Sequence, residues 1–217
     1  MKQFQSVAFD PLACRTQLDE LRAHLAANAE LAENRDVLPF FRDRPQLASL
    51  LGMFNPRIGV VDRIAYEFDV FGDFACDLAV GEWNTGQYCF VEFEDAVATS
   101  VFVKKGAKAT REWSAKFDHG FSQIVDWCFK LQDRVGSSDM LTRFGKHTIN
   151  YEAVLVVGRD HHLDAGELAR LEWRTSHVTV NSKKVTCLTF DQLLNQLATR
   201  LAWVGISPPA SPTVPGA

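Results

Sequence analysis

At 217 residues, with 47% hydrophobic content and 16 Phe, the chain is long and apolar enough for one packed domain with a helical extension. Its net charge of −4 excludes a protein that coats nucleic acid non-specifically. With no apolar stretch of about 18 residues and no signal-peptide pattern, a soluble, cytoplasmic protein without a membrane partner is expected.

Asp10-Pro11 reads as an N-cap followed by Pro at the first helical position, and Leu18, Leu21 and Leu25 continue one stripe to about Glu33. A second helix is expected from near Pro45 to just before Asn55-Pro56. This helical segment, residues 1–56, carries no recognisable chemistry. Three strands follow, near 63–70, 74–80 and 88–93, and the turn residues of 81–86 join the last two as a tight hairpin. A helix is predicted over 114–132, where Phe117, Phe121, Ile124, Cys128 and Leu131 form a buried stripe. The apolar run 153–157 suits a central strand covered on both faces. Asp164 and Glu167 form a capping box for a helix to about Glu172. A strand near 184–188 then precedes a last helix bearing Leu193, Leu194, Leu197 and Leu201. The Pro-rich tail, 207–217, is expected to be disordered. The expected fold is therefore α/β (mixed α+β), a mixed sheet flanked by helices over residues 57–206. Cys14, Cys76, Cys89, Cys128 and Cys187 form no Cys-x-x-Cys pair, and they are expected to be reduced core residues.

The most informative residues are Asp77, Glu92 and Glu94. A hairpin centred at Asn84-Thr85 sets Asp77 opposite Glu92, and one centred at Thr85-Gly86 sets it opposite Glu94. Strand alternation leaves all three carboxylates on one face in either register. Converging carboxylates repel unless a cation is present, so the pattern points to a divalent metal. Directly after them come Lys104, Lys105, Lys108, Arg111 and Lys116 against only Glu112. Such a loop suits a polyanion delivered to a metal, and it is equally consistent with an ordinary solvated loop.

Other residues have plainer readings. His119, early in its helix, reads as a hydrogen-bonded structural histidine, and His161-His162 as a loop pair rather than a metal site. Trp113, Trp127, Trp173 and Trp203 read as core, with base stacking open to Trp113. Gly120 inside a helix costs about 1 kcal/mol relative to Ala, a cost tolerable where another backbone or a substrate approaches closely.

The run Phe74-Ala-Cys-Asp-Leu-Ala-Val80, then Phe90-Val-Glu-Phe-Glu-Asp-Ala96, then His119-Gly-Phe-Ser-Gln-Ile-Val-Asp-Trp127 resembles the Shedu anti-phage defence family. That family lies within the PD-(D/E)XK nuclease superfamily. The likeness is strongest over about residues 64–131 and weaker to about 203. It implies a restriction-endonuclease-like core in which Asp77 is the first metal-binding Asp, Glu92 the Glu of the second strand and Gln123 the helix Gln. Glu67 is the loosest match, as an additional acidic residue. Glu94 departs from the pattern, since the superfamily usually carries Lys there, although some restriction endonucleases use Glu-x-Glu. The resemblance implies a metal-dependent endodeoxyribonuclease, with Mg²⁺ or Mn²⁺ at Asp77, Glu92 and Glu94 and with DNA guided by Lys104, Lys105, Lys108, Arg111 and Lys116. It also implies a homo-oligomer and a defence-system partner protein. The alternative is a catalytically silent module on the same fold that binds nucleic acid or a protein.

Overall fold

A computed structural model describes residues 3–204, and the tail at 207–217 lies outside them. The centre of the fold is a seven-stranded mixed sheet. Its strands are β1 (Gln5–Ser6), β2 (Arg63–Val70), β3 (Phe74–Glu82), β4 (Gln87–Phe93), β7 (Asn150–Val156), β8 (Thr179–Val180) and β9 (Lys183–Leu188). They lie in the order β1-β2-β3-β4-β7-β9-β8. Between β4 and β7 a separate two-stranded ribbon forms from β5 (Phe102–Val103) and β6 (Glu112–Trp113).

The meander β1 to β4 is antiparallel, whereas β4, β7 and β9 run parallel. Parallel neighbours need crossovers, which α4 (Ala115–Asp133) with α5 (Ser138–Phe144), and then α6 (Ala165–His177), supply. The central strand β7 is apolar on both sides because both sides are covered: Val154 and Val156 face one core, Ala153 and Leu155 the other.

One core lies under α1 (Pro11–Ala27), α3 (Pro45–Leu50) and α7 (Phe190–Val204), and the other under α4, α5 and α6. The N-terminal helices therefore share a core with the sheet: Leu21, Leu47 and Leu51 cluster with Leu78, Val91 and Val154. All five cysteines are buried and unbridged. Among the described residues no helix is long and apolar enough to cross a membrane.

The expected helix starts are observed. Asp10 caps α1, Ser114 accepts from the Phe117 N–H, and Asp164 with Glu167 closes a capping box on α6. The first helix ends earlier than its composition predicts, at Ala27, because Asn28 turns extended and its side-chain amide donates to the His24 carbonyl at 2.8 Å. The chain then passes through a π-helical turn, Glu33–Val37, and the short α2 (Leu38–Arg42). Trp127 is buried as expected, but Trp173 is not core: it is 59% exposed and stacks on His177 one turn later. The hydrophobic stripe of α6 runs through Leu171 instead, and Trp173 falls outside it.

Strand alternation changes phase once, at matching points of β2 and β3. Ile64 and Tyr66 face the first core, but Phe68 and Val70 face the second. Across the pairing, Leu78 and Val80 face the first core while Cys76 faces the second. Between the two phases stands Glu67, whose φ of 48° lies in the left-handed region. Asp77 is the corresponding residue of β3.

Because α1 lays Leu18, Leu21 and Leu25 into the core shared with the sheet, Leu21→Ala should cost about 2–5 kcal/mol in denaturant unfolding. A loss below about 1 kcal/mol would mean that α1 contributes little to the cooperative unit.

Candidate functional site

The hairpin is centred at Asn84-Thr85: Glu82 pairs with Gln87 and Leu78 with Val91, so the next step sets Asp77 opposite Glu92. Glu94 follows the end of β4, where its N–H donates to the Val156 carbonyl at 2.9 Å and extends the parallel pairing. Glu92 is 4% exposed and Glu94 3%, whereas Asp77 is half-buried. Glu92 and Glu94 both lie against α4, through Gln123 and His119.

Each carboxylate has a different partner. Asp77 accepts from the Phe93 N–H at 2.8 Å. Gln123 of α4 donates its amide to Glu92 Oε1, while Glu92 Oε2 is buried without a partner. His119, one turn earlier on α4, sets Nδ1 2.9 Å from Glu94 Oε1. Gly120 makes this approach possible: a Cβ there would lie 2.7 Å from Leu155 Cδ1 and 3.0 Å from Glu94 Cγ. The close neighbours at Gly120 are thus two side chains, Leu155 and Glu94, rather than the backbone or substrate expected there.

Burial pushes the Asp77 carboxyl up to about 7, against the downward pull of the Phe93 N–H and with further upward pressure from Glu33 and Glu94. Glu92 is raised well above the ordinary carboxylate range by burial and then by Asp77, Glu94 and Glu33. Glu94 is also raised, chiefly by burial, with His119 opposing. The charge of Glu33 thus bears on these carboxyls, although nothing in the sequence of the first 56 residues suggests chemistry there. Its local sequence continues the helix-forming run behind Leu25, and only the pairing of Leu31 with Ala96 carries it to the carboxylates.

The basic residues divide. Lys105 and Lys108 both pair with Glu112, and Lys104 stands exposed in the same loop. Arg111 is anchored inward, forking onto Glu167 and donating to the His162 carbonyl at 2.8 Å. Lys116, at the start of α4, pairs with Asp95 and lies close enough to Glu94 and Glu33 to feel their charge. Of the five, only Lys116 reaches the carboxylate cluster. Trp113 is packed between Phe102 and Phe117, with ring centroids 4.4 Å from each. Glu67 pairs with Arg42 at 3.0 Å.

Among the described residues no three His, Cys, Asp or Glu side chains are gathered as a metal centre would hold them. The donors are carboxylate oxygens, the hard type of ligand that a divalent cation takes, and one buried oxygen, Glu92 Oε2, has no partner.

Two outcomes follow from this geometry. Gly120→Ala should destabilise the protein despite a helix-propensity gain of about 1 kcal/mol, because Glu94 and Leu155 occupy the space of the new methyl. A stabilised variant would show that the contact yields easily. The folded state holds the Asp77 and Glu92 protons more tightly than the unfolded chain does, so their stabilising contribution fades as pH rises from about 4 through about 7. In EDTA the melting temperature should fall between pH 5 and 8, and Asp77→Asn should flatten that fall. Parallel curves for the two proteins would remove Asp77 as its source.

No curated protein matches the chain significantly. A family model described as the C-terminal region of the Shedu protein SduA matches residues 31–194, a span that begins just before Glu33 and takes in the whole carboxylate cluster and α4. The chain belongs to the Shedu SduA C-terminal family.

Proposed function

We propose that this chain is a metal-dependent nuclease domain that hydrolyses DNA phosphodiester bonds, with a restriction-endonuclease-like core. Family membership suggests a defence-related role. The observation that carries the reading is the Asp77–Glu92 pair, set opposite each other in a buried part of the sheet with Glu92 Oε2 unpartnered. Asp77 and Glu92 would hold Mg²⁺ or Mn²⁺, joined by Glu94. Such an ion, when bound, supplies Lewis acidity toward a phosphodiester and toward the attacking water.

The remaining roles fall to the chain's own side chains. Gln123, bonded to Glu92 Oε1, fixes the orientation of that carboxylate so that Oε2 faces the site. His119 on Glu94 tempers the negative charge that replaces the superfamily's lysine. Lys116 offers a cation at the rim, where a phosphate can compete with Asp95 for it. The exposed loop carrying Lys104, Lys105 and Lys108 is held by ion pairs weak enough for a DNA backbone to displace. Arg111 is reserved for α6 and is not assigned to DNA.

A second reading, a catalytically silent module that binds nucleic acid or a protein, is favoured by Glu94 at the lysine position and by the ion-paired state of the basic loop. Incubating the purified protein with linear, nicked and single-stranded DNA in Mg²⁺, Mn²⁺ or EDTA separates the two. The nuclease reading expects metal-dependent product that disappears in Asp77→Ala. Retained DNA binding with no product in any condition would favour the silent module, and product undiminished in Asp77→Ala would remove this site from the chemistry.

A further inference from the structure

One side of α6 carries a stripe that the proposed chemistry does not use. Arg170, Trp173, Arg174 and His177 stand at i, i+3, i+4 and i+7, so they share that side of the helix. The two acidic residues of α6 lie off it. Glu167 is buried against Arg111, and Glu172 lines a cavity on the other flank with Thr175 and Cys187.

The inner half of the stripe is cationic and rests on rings. The Arg174 guanidinium carbon lies 4.3 Å from the Phe121 ring centroid and 4.9 Å from those of Trp113 and Phe117. That of Arg170 lies 4.4 Å from Phe102 and 5.3 Å from Trp113, and its Nη1 donates to the Arg111 carbonyl at 2.8 Å. Aromatic faces orient a guanidinium and offset part of its lost hydration, but they leave its N–H edge without an anion. Among the described residues no carboxylate pairs with either arginine, and Arg174 Nε is buried without a partner.

The outer half is aromatic and held in place. Trp173 is 59% exposed, and its indole lies flat on the His177 imidazole, with centroids 4.7 Å apart and planes inclined by 8°. His177 Nδ1 stands 2.9 Å from the Trp173 carbonyl, which fixes the imidazole and through it the indole. The stripe also continues into the loop of Lys104, Lys105 and Lys108, because that loop closes on Arg111 and Trp113, which touch Arg170 and Arg174.

Arginines without counter-ions beside a fixed, exposed indole match the two parts of a polynucleotide, phosphate and base. A phosphate oxygen accepts from a guanidinium edge, and a base stacks on an indole only when it is not already stacked within a duplex. We propose that this face of α6 binds a single-stranded stretch of DNA, with Trp173 as the stacking platform and Arg170 and Arg174 on the backbone. The proposal deepens the nuclease reading by naming its substrate class, DNA with unpaired bases, and rests on that reading for the choice of DNA.

The test is binding of the full chain to fluorescein-labelled oligothymidylate and to a duplex of equal length, by fluorescence anisotropy in EDTA, where metal-dependent cleavage cannot intervene. Trp173→Ala should weaken single-strand binding about five-fold or more and duplex binding much less, and Trp173→Phe should restore most of the loss. Arg174→Gln should weaken both and lower the salt slope of single-strand binding by about 0.7. Trp173 lies outside the core, so its variants keep the fold even where Arg174→Gln does not. Leu12→Ala, which truncates an exposed apolar residue of α1, should change neither affinity. Unchanged single-strand affinity in Trp173→Ala overturns the proposal, as does an equal loss toward single strand and duplex. If affinity is unchanged and the same variant forms a smaller particle in light scattering, the face belongs to a second copy of the chain instead. A wild type that binds no single strand yet cleaves DNA with Mn²⁺ overturns this proposal and keeps the nuclease reading. Neither binding nor product overturns both.

Discussion

Setting one carboxylate against another inside a sheet is costly, and the surrounding architecture is arranged around that cost. Extending the hairpin register by one step sets Asp77 opposite Glu92, and water is largely excluded from Glu92. In such surroundings both groups cling to protons, and the charged form is tolerated only with donors or cations close by. The Phe93 N–H, the Gln123 amide and the His119 ring supply part of what is needed, and all three depend on α4 or β4 keeping its place. The helix keeps it through its apolar stripe, with Phe117, Ile124 and Leu131 in the core, and through Gly120, the gap into which Glu94 fits.

Much of this arrangement was legible in the chain. The turn residues of 81–86 revealed the hairpin, the 3.6-residue period revealed α4, and the uninterrupted apolar run revealed the doubly covered β7. Those signals are local and repeat often enough to survive tertiary context. The register of the hairpin was readable for the same reason, because a tight turn converts sequence spacing directly into strand pairing.

What escaped the sequence depends on distant contacts. Glu33 sits in a stretch of good helix formers, and nothing local says that the helix stops at Ala27 and that the next residues pair with Ala96. The basic segment misled in the opposite sense. Its charges look free when read in line, but Glu112 takes two of them, and Glu167, over fifty residues away, takes Arg111. Composition counts charges, and only the fold says which are already neutralised. Trp173 shows the same limit: an aromatic residue in an amphipathic helix reads as core until the direction of the stripe is known.

The reversal of phase at Glu67 and Asp77 has a consequence for how the chain selects its pairing. A regular two-faced strand tolerates a slip of two residues, since every side chain returns to the same side. In β2 and β3 the reversal points must also face each other, and a slip of two leaves them offset, turning the residues between them toward the wrong core. The left-handed backbone at Glu67 therefore acts as an index mark for the β2–β3 hairpin: it disfavours the nearest misalignment, in which Glu67 and Asp77 would no longer stand opposite each other.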